Sequence, residues 1–232
     1  MWQITGSLLA DRFVKSGVLT LVLFTTGLLV GGCASEPAVP LLQPQGEYRL
    51  LPLETTRRQV DELLQGNVET LVQVQAKPNE VTPPVLFALA YQLYQQQHYH
   101  DAMFWFYTAQ LRARSDANKS LDTSTQQGVT KLSEQFGAEI PAYALSHPAE
   151  METAMKQVLS WDKTAQRRYN PRWVALHGNE VQSAQEYAFM PMERWPQIDQ
   201  LTHREFARGF AKLMVSLHNP SGFSLSNQPD PG

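Results

Sequence analysis

The chain is poor in cysteine, because Cys33 is the only one among its 232 residues. A single cysteine excludes an internal disulfide and a zinc site built from several thiolates. No second thiol is present to act as a nucleophile. The stability of a folded domain in this chain must therefore come from a hydrophobic core, and the chain is long enough to build one.

An excess of positive charge is also lacking. The chain has 19 Lys and Arg against 22 Asp and Glu, which gives a formal net charge of -3. Proteins that bind nucleic acid usually carry a basic face or a basic helix. The sequence therefore predicts no nucleic-acid partner.

A hydrophobic run long enough to span a membrane is missing as well. The apolar segment at residues 17–30 is 14 residues long and follows Arg12 and Lys15. A helix of that length rises about 21 Å, whereas the hydrocarbon core of a bilayer is about 30 Å thick. A basic lead before a short apolar segment is typical of an export signal.

The export signal ends in Val30-Gly31-Gly32-Cys33, which resembles the lipobox of bacterial lipoproteins. The resemblance implies that residues 1–32 are a signal peptide that is removed, and that Cys33 is lipidated and acylated at its new amino terminus. Several acyl chains anchor durably, whereas one alone anchors only marginally. The alternatives are an ordinary secretory signal with a chance cysteine and a plain membrane anchor.

The residues after Cys33 bear on the membrane to which the lipoprotein would be sorted. Ala34 and Ser35 stand where lipoproteins retained in the inner membrane usually carry Asp. The resemblance therefore implies a lipid-anchored protein of the outer membrane that faces the periplasm. The periplasmic face of the inner membrane is the alternative.

The rest of the chain divides by composition into a tether, a domain and a tail. Residues 33–54 contain Pro37, Pro40 and Pro44 and predict a flexible lipidated tether. Residues 55–218 carry helical patterns almost throughout, which predicts a compact all-α domain. Residues 219–232 are rich in Pro, Ser, Asn and Gly, which predicts a disordered tail.

Residues 83–116 carry the clearest helical hairpin pattern of the domain. A first apolar stripe and a second one flank a turn at residues 96–99; the stripes are Leu86, Leu89, Ala90 and Leu93, then Ala102, Phe106 and Ala109. These positions resemble the tetratricopeptide and Sel1-like repeats. Since no second copy follows, neighbouring helices would have to cover a lone repeat. An ordinary helical hairpin is the alternative.

The other helices are predicted from caps and apolar spacing. Thr55 or Thr56 would cap a first helix, and Gly66-Asn67 would end it. A weaker helix is predicted at 122–136, another after Pro148, and a last one after a capping box at 202–205. The expected buried positions are Val60, Leu63, Leu64, Val68, Leu71 and Val72, then Met151, Ala154, Met155, Val158 and Leu159, then Phe206, Phe210, Leu213, Met214 and Leu217.

Local motifs for catalysis are absent from the sequence. There is no Gly-x-Ser-x-Gly elbow, no His-Glu-x-x-His and no phosphate-binding glycine loop. His98-x-His100-Asp101 resembles part of a metal site, but the hairpin turn already explains these polar residues. The sequence therefore predicts neither an enzyme nor a metal or other cofactor.

Two groups of residues are candidates for binding a partner. Residues 161–178 hold three arginines beside two aromatic residues, the types that contribute most to protein interfaces; they are Arg167, Arg168, Tyr169, Arg172 and Trp173. Tyr99 and Trp105 are the candidates on the second hairpin helix. Phospholipid headgroups are a second possible target of the arginines. A structural loop and a fully buried helix are the alternatives.

These features together predict a non-enzymatic, membrane-anchored lipoprotein that binds a periplasmic protein. Its plan is similar to that of lipoproteins with Sel1-like repeats that act as immunity proteins against lipase effectors of the type VI secretion system. That resemblance implies a secreted toxin as the partner, by analogy of architecture. An adaptor for peptidoglycan or outer-membrane assembly and an envelope hydrolase with a dispersed active site are the alternatives.

Overall fold

The computed structural model describes residues 51–177 and 189–219, all of which belong to one compact unit, 43–232. The predicted all-α fold is confirmed. The described residues form α1 (Leu53–Leu64), α2 (Val68–Ala76), α3 (Pro83–Gln95), α4 (Tyr99–Ala117), α5 (Thr125–Gly137), α6 (Glu139–Ser146), α7 (Pro148–Thr164) and α8 (Trp195–His218). The predicted signal peptide and lipidated Cys33, the tether up to residue 50 and the tail after Asn219 lie outside these ranges.

Helices α3 and α4 form the predicted hairpin at the centre of the fold. Every residue of α3 from Pro83 to Ala90 is buried, so this helix meets neighbours on all sides. The stripe residues predicted on both helices are buried, and the Phe87 ring packs edge-on against Phe106 at 5.6 Å. The predicted hairpin and its core positions are therefore confirmed.

The hairpin turn is closed by backbone hydrogen bonds. Gln97 has a positive φ of 64°, and the N–H groups of Gln97 and His98 donate to the carbonyls of Tyr94 and Leu93. This pairing is the Schellman pattern that satisfies the last carbonyls of a helix. The turn therefore covers residues 96–98, and Tyr99 already belongs to α4.

Helices α5, α6 and α7 pack around the hairpin. In α7, Met151, Ala154, Met155 and Val158 are buried as predicted. Gly137 at the end of α5 lies against the Phe106 ring so closely that a β-carbon would overlap it. A glycine is therefore required where α5 meets the hairpin.

Helix α1 departs from the prediction at its start. It begins at Leu53, no side chain caps it, and the Thr56 hydroxyl instead lies 3.4 Å from the hydroxyl of Thr82. The predicted cap at Thr55 or Thr56 is therefore wrong. Leu63 is buried, but Leu64 is 42% exposed.

The predicted break between the first two helices is confirmed. Gly66 ends the turn after α1 with a φ of 79°, and the Asn67 side chain accepts a hydrogen bond from the N–H of Thr70 at 3.0 Å. The apolar face predicted for α2 is only partly right. Val68 and Val72 are exposed, because α2 buries the face that carries Leu71 and Val74.

The end of the domain also differs from the prediction. Helix α8 begins at Trp195, after a 3₁₀ turn at Met192–Arg194, so the capping box predicted at 202–205 lies inside the helix. Helix α6 was not predicted at all. Within residues 51–177 and 189–219, no helix is long and apolar enough to cross a membrane.

Candidate functional site

The arginine-rich segment predicted as a binding surface follows α7 and turns into the domain. The N–H of Arg168 donates to the carbonyl of Asn79 at 2.7 Å, which fixes the path of the chain. A 3₁₀ helix then covers Pro171–His177. This path sends Arg167 and Trp173 inwards and leaves Arg168 exposed.

Arg167 closes a chain of buried charges between α4, α7 and α8. The guanidinium of Arg112, fully buried on α4, donates to the first carboxylate oxygen of Asp162 on α7 at 2.9 Å. Arg167 donates to the second oxygen of Asp162 at 2.9 Å and to Asp199 on α8 at 2.8 Å. Two arginines therefore share one carboxylate and tie three helices together.

Asp116 on α4 is the second buried carboxylate of this cluster. Trp173 donates its indole N–H to Asp116 at 2.8 Å, and the Lys119 ammonium lies 3.2 Å from the same carboxylate. Lys119 also reaches Asp199 at 2.8 Å, and Ser115 donates to Asp199. We call the six charged residues the buried ion cluster, in which Asp199, with 33% of its side chain exposed, lies at the edge: Arg112, Lys119, Arg167, Asp116, Asp162 and Asp199.

The buried ion cluster is balanced, with three cations and three carboxylates. Burial alone would raise the pKa of Asp162, but Arg167 and Arg112 hold it below its usual value. At Asp116, burial outweighs Lys119 and Arg167 and raises the pKa of the carboxyl. Because the charges are satisfied by one another, the geometry is that of a structural network.

The other aromatic and basic residues of the segment lie beside the buried ion cluster. The hydroxyl of Tyr169 is buried beside the carboxylate of Asp116. Burial, with Asp116 nearby, raises the pKa of Tyr169 well above its usual value. The Arg172 guanidinium lies 5.0 Å from the Trp195 ring centre and 5.6 Å from that of Phe189. Of the residues predicted to form a binding surface, Trp173 and the Tyr169 hydroxyl are therefore buried, whereas Arg168 is exposed.

The two candidate binding residues on α4, Trp105 and Tyr99, also differ in how far they are buried. Trp105 is only 8% exposed and packs edge-on against Phe104 and Trp161. Tyr99 is half-buried and stacks on Tyr143 of α6, with ring centres 4.3 Å apart. Of these two candidates, only Tyr99 remains available at the surface.

A surface cleft that the sequence did not predict runs between α5 and α8. It has a volume of about 820 Å³; α4 forms its floor, and α5 and α8 form its walls. Its lining mixes aromatic, charged and amide side chains, among them Tyr107, Gln110, Arg114, Glu134, Phe206 and Phe210. The Arg114 guanidinium lies 5.5 Å from the centre of the Phe206 ring, which is a cation–π contact between the floor and one wall.

Helix α8 is covered only in part by the rest of the domain. Thr202 and Met214 are its only buried residues, whereas Leu201 and Leu213 are 47% and 38% exposed. A β-carbon at Gly209, which lines the cleft, would meet nothing within 4 Å. The apolar residues of this helix lie on more than one face, which is the sequence signal that could have indicated an incompletely covered helix.

No metal site is formed in the part of the chain that the structure describes, where no group of three or more His, Cys, Asp or Glu side chains is placed to hold an ion. The sequence offered one partial resemblance to such a site, His98-x-His100-Asp101. His100 bonds to the amide oxygen of Gln157 at 2.8 Å, which joins the start of α4 to α7.

Comparison of the chain with known protein families, with curated proteins and with solved structures found no match.

Proposed function

We propose that this chain is a non-enzymatic lipoprotein, anchored through Cys33, whose helical domain binds a protein partner in the periplasm. The observation that carries the binding role is the open cleft along α8. Burying a helix face normally stabilises a domain, and here much of that face is left accessible although the helix has 24 residues. A partner helix laid along the cleft would cover it.

The chemistry of the cleft favours a protein surface as its occupant. Phe206 and Phe210 are partly exposed rings on one wall, and Arg114 is an exposed cation on the floor. Aromatic residues and arginine contribute most of the energy in protein interfaces, because they bury a large area and make directional contacts. Amides and carboxylates such as Gln110 and Glu134 would form the polar rim.

The length of α8 sets the kind of partner segment. A helix of 24 residues rises about 36 Å. An amphipathic partner helix of several turns would present apolar residues at the helical spacing to such a groove. We therefore propose a helix-in-groove mode, with Phe206, Phe210 and Leu213 as the contact residues on this chain.

Gly209 offers a direct test of the groove. Because a β-carbon there meets no atom, Gly209→Gln should leave the fold intact while its side chain projects into the cleft. We expect Gly209→Gln to weaken affinity for a partner identified by in-cell crosslinking at Leu213 about tenfold or more. Binding of the purified partner would be measured by calorimetry.

Gly209→Ala is the matched control for this substitution. It also removes the flexible glycine, and it should stabilise the domain by about 0.5–1 kcal/mol, since alanine is the better helix former. Its affinity for the partner should equal that of the unaltered protein. Equal binding by Gly209→Gln would show that the groove is not the docking site.

The proposal of a lipid anchor is based on the resemblance of Val30-Gly31-Gly32-Cys33 to a lipobox. Its acyl chains would hold the domain at the periplasmic face of the outer membrane, since Ala34 and Ser35 lack the aspartate of inner-membrane retention. A tether confines the domain to the membrane surface, so a partner that acts there meets it at high effective concentration.

Within this role we propose an immunity function against a lipase effector of a type VI secretion system. Its support is the similarity of plan to lipoproteins with Sel1-like repeats, in which the lone hairpin α3–α4 would correspond to one repeat. Deletion of the gene should make cells sensitive to sibling cells that deliver the effector encoded beside it. Survival of the deletion strain in that competition would refute the immunity function but not partner binding.

A further inference from the structure

The side of α8 that faces solvent carries a row of cations. Arg204, Arg208 and Lys212 follow one another at intervals of four residues, and all three are exposed. Residues four apart on a helix are neighbours on the same face, one turn further along. The three cations therefore lie in a row along one face of α8.

Two exposed aliphatic residues lie on the same face. Leu201 and Val215, which are 47% and 63% exposed, stand seven residues before and seven residues after Arg208. At 3.6 residues per turn, the five residues occupy about 80° of the helix circumference and a length of about 21 Å. The centre of this arc is opposite the side that carries Thr202 and Met214, which are buried. We call these five residues the basic face: Leu201, Arg204, Arg208, Lys212 and Val215.

The cations of the basic face are not neutralised by the domain. Among the residues that the structure describes, none of the three has an ion pair, a hydrogen bond or a ring contact. Lys156 on the neighbouring helix α7, by contrast, pairs with Glu152 at 2.8 Å. Residues 200–219 contain one carboxylate, Glu205, which lines the cleft. Positive charge is therefore concentrated on this face, although the chain as a whole has a net charge of -3.

The proposed anchor would bring this face within reach of a membrane. Leu51, the first residue that the structure describes, follows Cys33 by 18 residues, which can span at most about 65 Å. A connection of that reach does not by itself determine which side of the domain meets the membrane. The charge and hydrophobicity of the domain surface would therefore decide its orientation.

We propose that the basic face of α8 docks on the anionic phospholipid headgroups of the membrane to which Cys33 anchors the chain. Each Lys or Arg near such a surface is attracted by its negative potential. Leu201 and Val215 would enter the boundary between headgroups and acyl chains, as the apolar residues of interfacial helices do. The proposal rests on the proposed anchor and adds an orientation to it, since three cations are too few to hold the domain at the membrane alone. The cleft residue Phe206 lies on the other side of α8, so docking leaves it open to a partner.

The test uses the full-length lipidated protein, reconstituted in vesicles of phosphatidylcholine or of phosphatidylcholine with about 30% phosphatidylglycerol. A lipidated Cys33 has no free thiol, so Ala211→Cys, at an exposed position beside the basic face, gives a single site for an environment-sensitive fluorophore. The anchor should attach the protein to both kinds of vesicle. The fluorophore should shift to the blue, and be quenched by spin-labelled lipid, only in the anionic vesicles. High salt should reverse the shift, because it screens the attraction.

A second labelling position shows whether the signal belongs to α8. Val72→Cys places the same fluorophore on α2, at a position that is 56% exposed in the unaltered protein. Helix α2 packs on α1 and α3. A fluorophore at this position should report water in both kinds of vesicle.

Charge variants test the role of the cations. Lys212→Gln should lower the ratio of docked to free domain about fivefold, the factor that corresponds to about 1 kcal/mol per cation near an anionic surface. Replacing Arg204, Arg208 and Lys212 together by Gln should abolish docking. Lys131→Gln, at an exposed position on α5, removes the same charge elsewhere and should dock as the unaltered protein does.

An aliphatic variant tests the apolar part of the basic face. Val215→Ser should lower the ratio of docked to free domain about threefold, because it removes apolar area that docking would take out of water. Val68→Ser is the matched control, since Val68 on α2 is 65% exposed and Val215 is 63% exposed. The control should dock as the unaltered protein does.

Three outcomes would overturn the proposal. One is the same fluorescence from the Ala211→Cys label in neutral and anionic vesicles. Another is unchanged docking after the three cations are replaced together. The third is a shift of that label by a poly-glutamate peptide in neutral vesicles but not by anionic vesicles, which would assign the basic face to an acidic protein segment.

Failure of the proposed function would look different from these outcomes. Without lipidation, the protein would float with neither kind of vesicle at high salt, and Cys33 would also take up the fluorophore. Gly209→Gln should dock as the unaltered protein does, because Gly209 lines the cleft and is not part of the basic face. A cleft that binds no partner would therefore leave the docking result unaffected.

Discussion

Arg112 shows at the scale of single residues how this domain tolerates charge in its interior. Its side chain is fully buried, yet every part of the guanidinium has a partner. It donates to Asp162, to the Pro78 carbonyl at 3.2 Å and to the Asn79 side chain at 2.7 Å. Its flat face lies 4.6 Å from the ring centre of Trp161. These contacts replace the water that burial removes.

Replacing Arg112 with a side chain of similar length and no charge should therefore be costly. In Arg112→Met, the oxygens of Asp162, Pro78 and Asn79 lose a donor inside the protein. We expect the free energy of unfolding to fall by about 3–5 kcal/mol, the usual cost of removing one partner from a buried ion pair. Urea denaturation followed by circular dichroism measures it.

Arg57→Met is the matched control for this prediction. Arg57 on α1 lies 3.9 Å from Glu54, and their side chains are 62% and 89% exposed. Exposed ion pairs contribute about 0–1 kcal/mol, so this variant should unfold almost as the unaltered protein does. A similar loss in both variants would mean that burial is not what makes Arg112 important.

The sequence showed which residue types make up the arginine-rich segment, but it did not show which of their side chains point into the domain. Arginine and tryptophan are frequent in interfaces, but they also bridge helices inside a domain. Whether Arg167 points inwards depends on the bond between Arg168 and Asn79 and on carboxylates far away in the chain. A residue pattern does not contain that information, whereas apolar spacing does indicate which residues of a helix are buried.

Helix α8 differs from the other elements in how it is attached. Its first half is held by polar contacts: Asp199 meets Lys119 and Arg167, and Thr202 accepts a hydrogen bond from Asn118 at 2.8 Å. His203 also lies 2.9 Å from the Leu159 carbonyl. With so few buried apolar residues, these contacts determine where the helix lies on α4 and α7.

Removing the Asp199 carboxylate should therefore loosen α8 selectively. In Asp199→Ala we expect faster amide hydrogen exchange across the first half of α8, because local opening no longer breaks the contacts to Lys119 and Arg167. Exchange in α3 should stay as slow as before. Hydrogen–deuterium exchange with mass spectrometry resolves the two helices.

Glu205→Gln serves as the comparison, since Glu205 is an exposed residue of α8 that lines the cleft. Its exchange pattern should match that of the unaltered protein. If Asp199→Ala speeds exchange equally in α3 and α8, the domain opens as one unit and α8 has no separate attachment.

Helices were predicted correctly where the apolar pattern continues over several turns, and a helix was missed where the pattern covers only a few residues. Helices α3, α4 and α7 carry buried stripes over several turns. Helix α6 has only eight residues and buries Ile140 and Ala144, so its pattern is too brief to recognise. The start of α8 did have a signal, since Pro196 occupies its first turn.

At the scale of the whole molecule, the all-α class was predictable but the surfaces were not. The cleft depends on how α8 crosses α4, and Ser115 and Asp199, which meet there, are 84 residues apart in the chain. The rings of Tyr94, Tyr99 and Tyr143 likewise come together from three different helices. Surfaces of this kind arise from packing between segments that are distant in the chain. Local sequence patterns contain no information about that packing.

The proposed lipid anchor should be needed for membrane attachment but not for folding of the domain. The variant Cys33→Ser tests this. Serine cannot accept the lipid, so we expect the variant to move from the membrane pellet to the soluble periplasmic fraction or to remain as an unprocessed precursor. Fractionation followed by immunoblotting measures this. The domain should still fold, because all the core residues that the structure describes lie between Leu51 and Met214.

Two measurements separate anchoring from folding in that variant. The circular dichroism spectrum and urea midpoint of purified Cys33→Ser protein should match those of the lipidated protein in detergent. Unfolding of the variant would contradict a tether joined to an independent domain, and membrane retention of the processed form would contradict lipidation as the anchor.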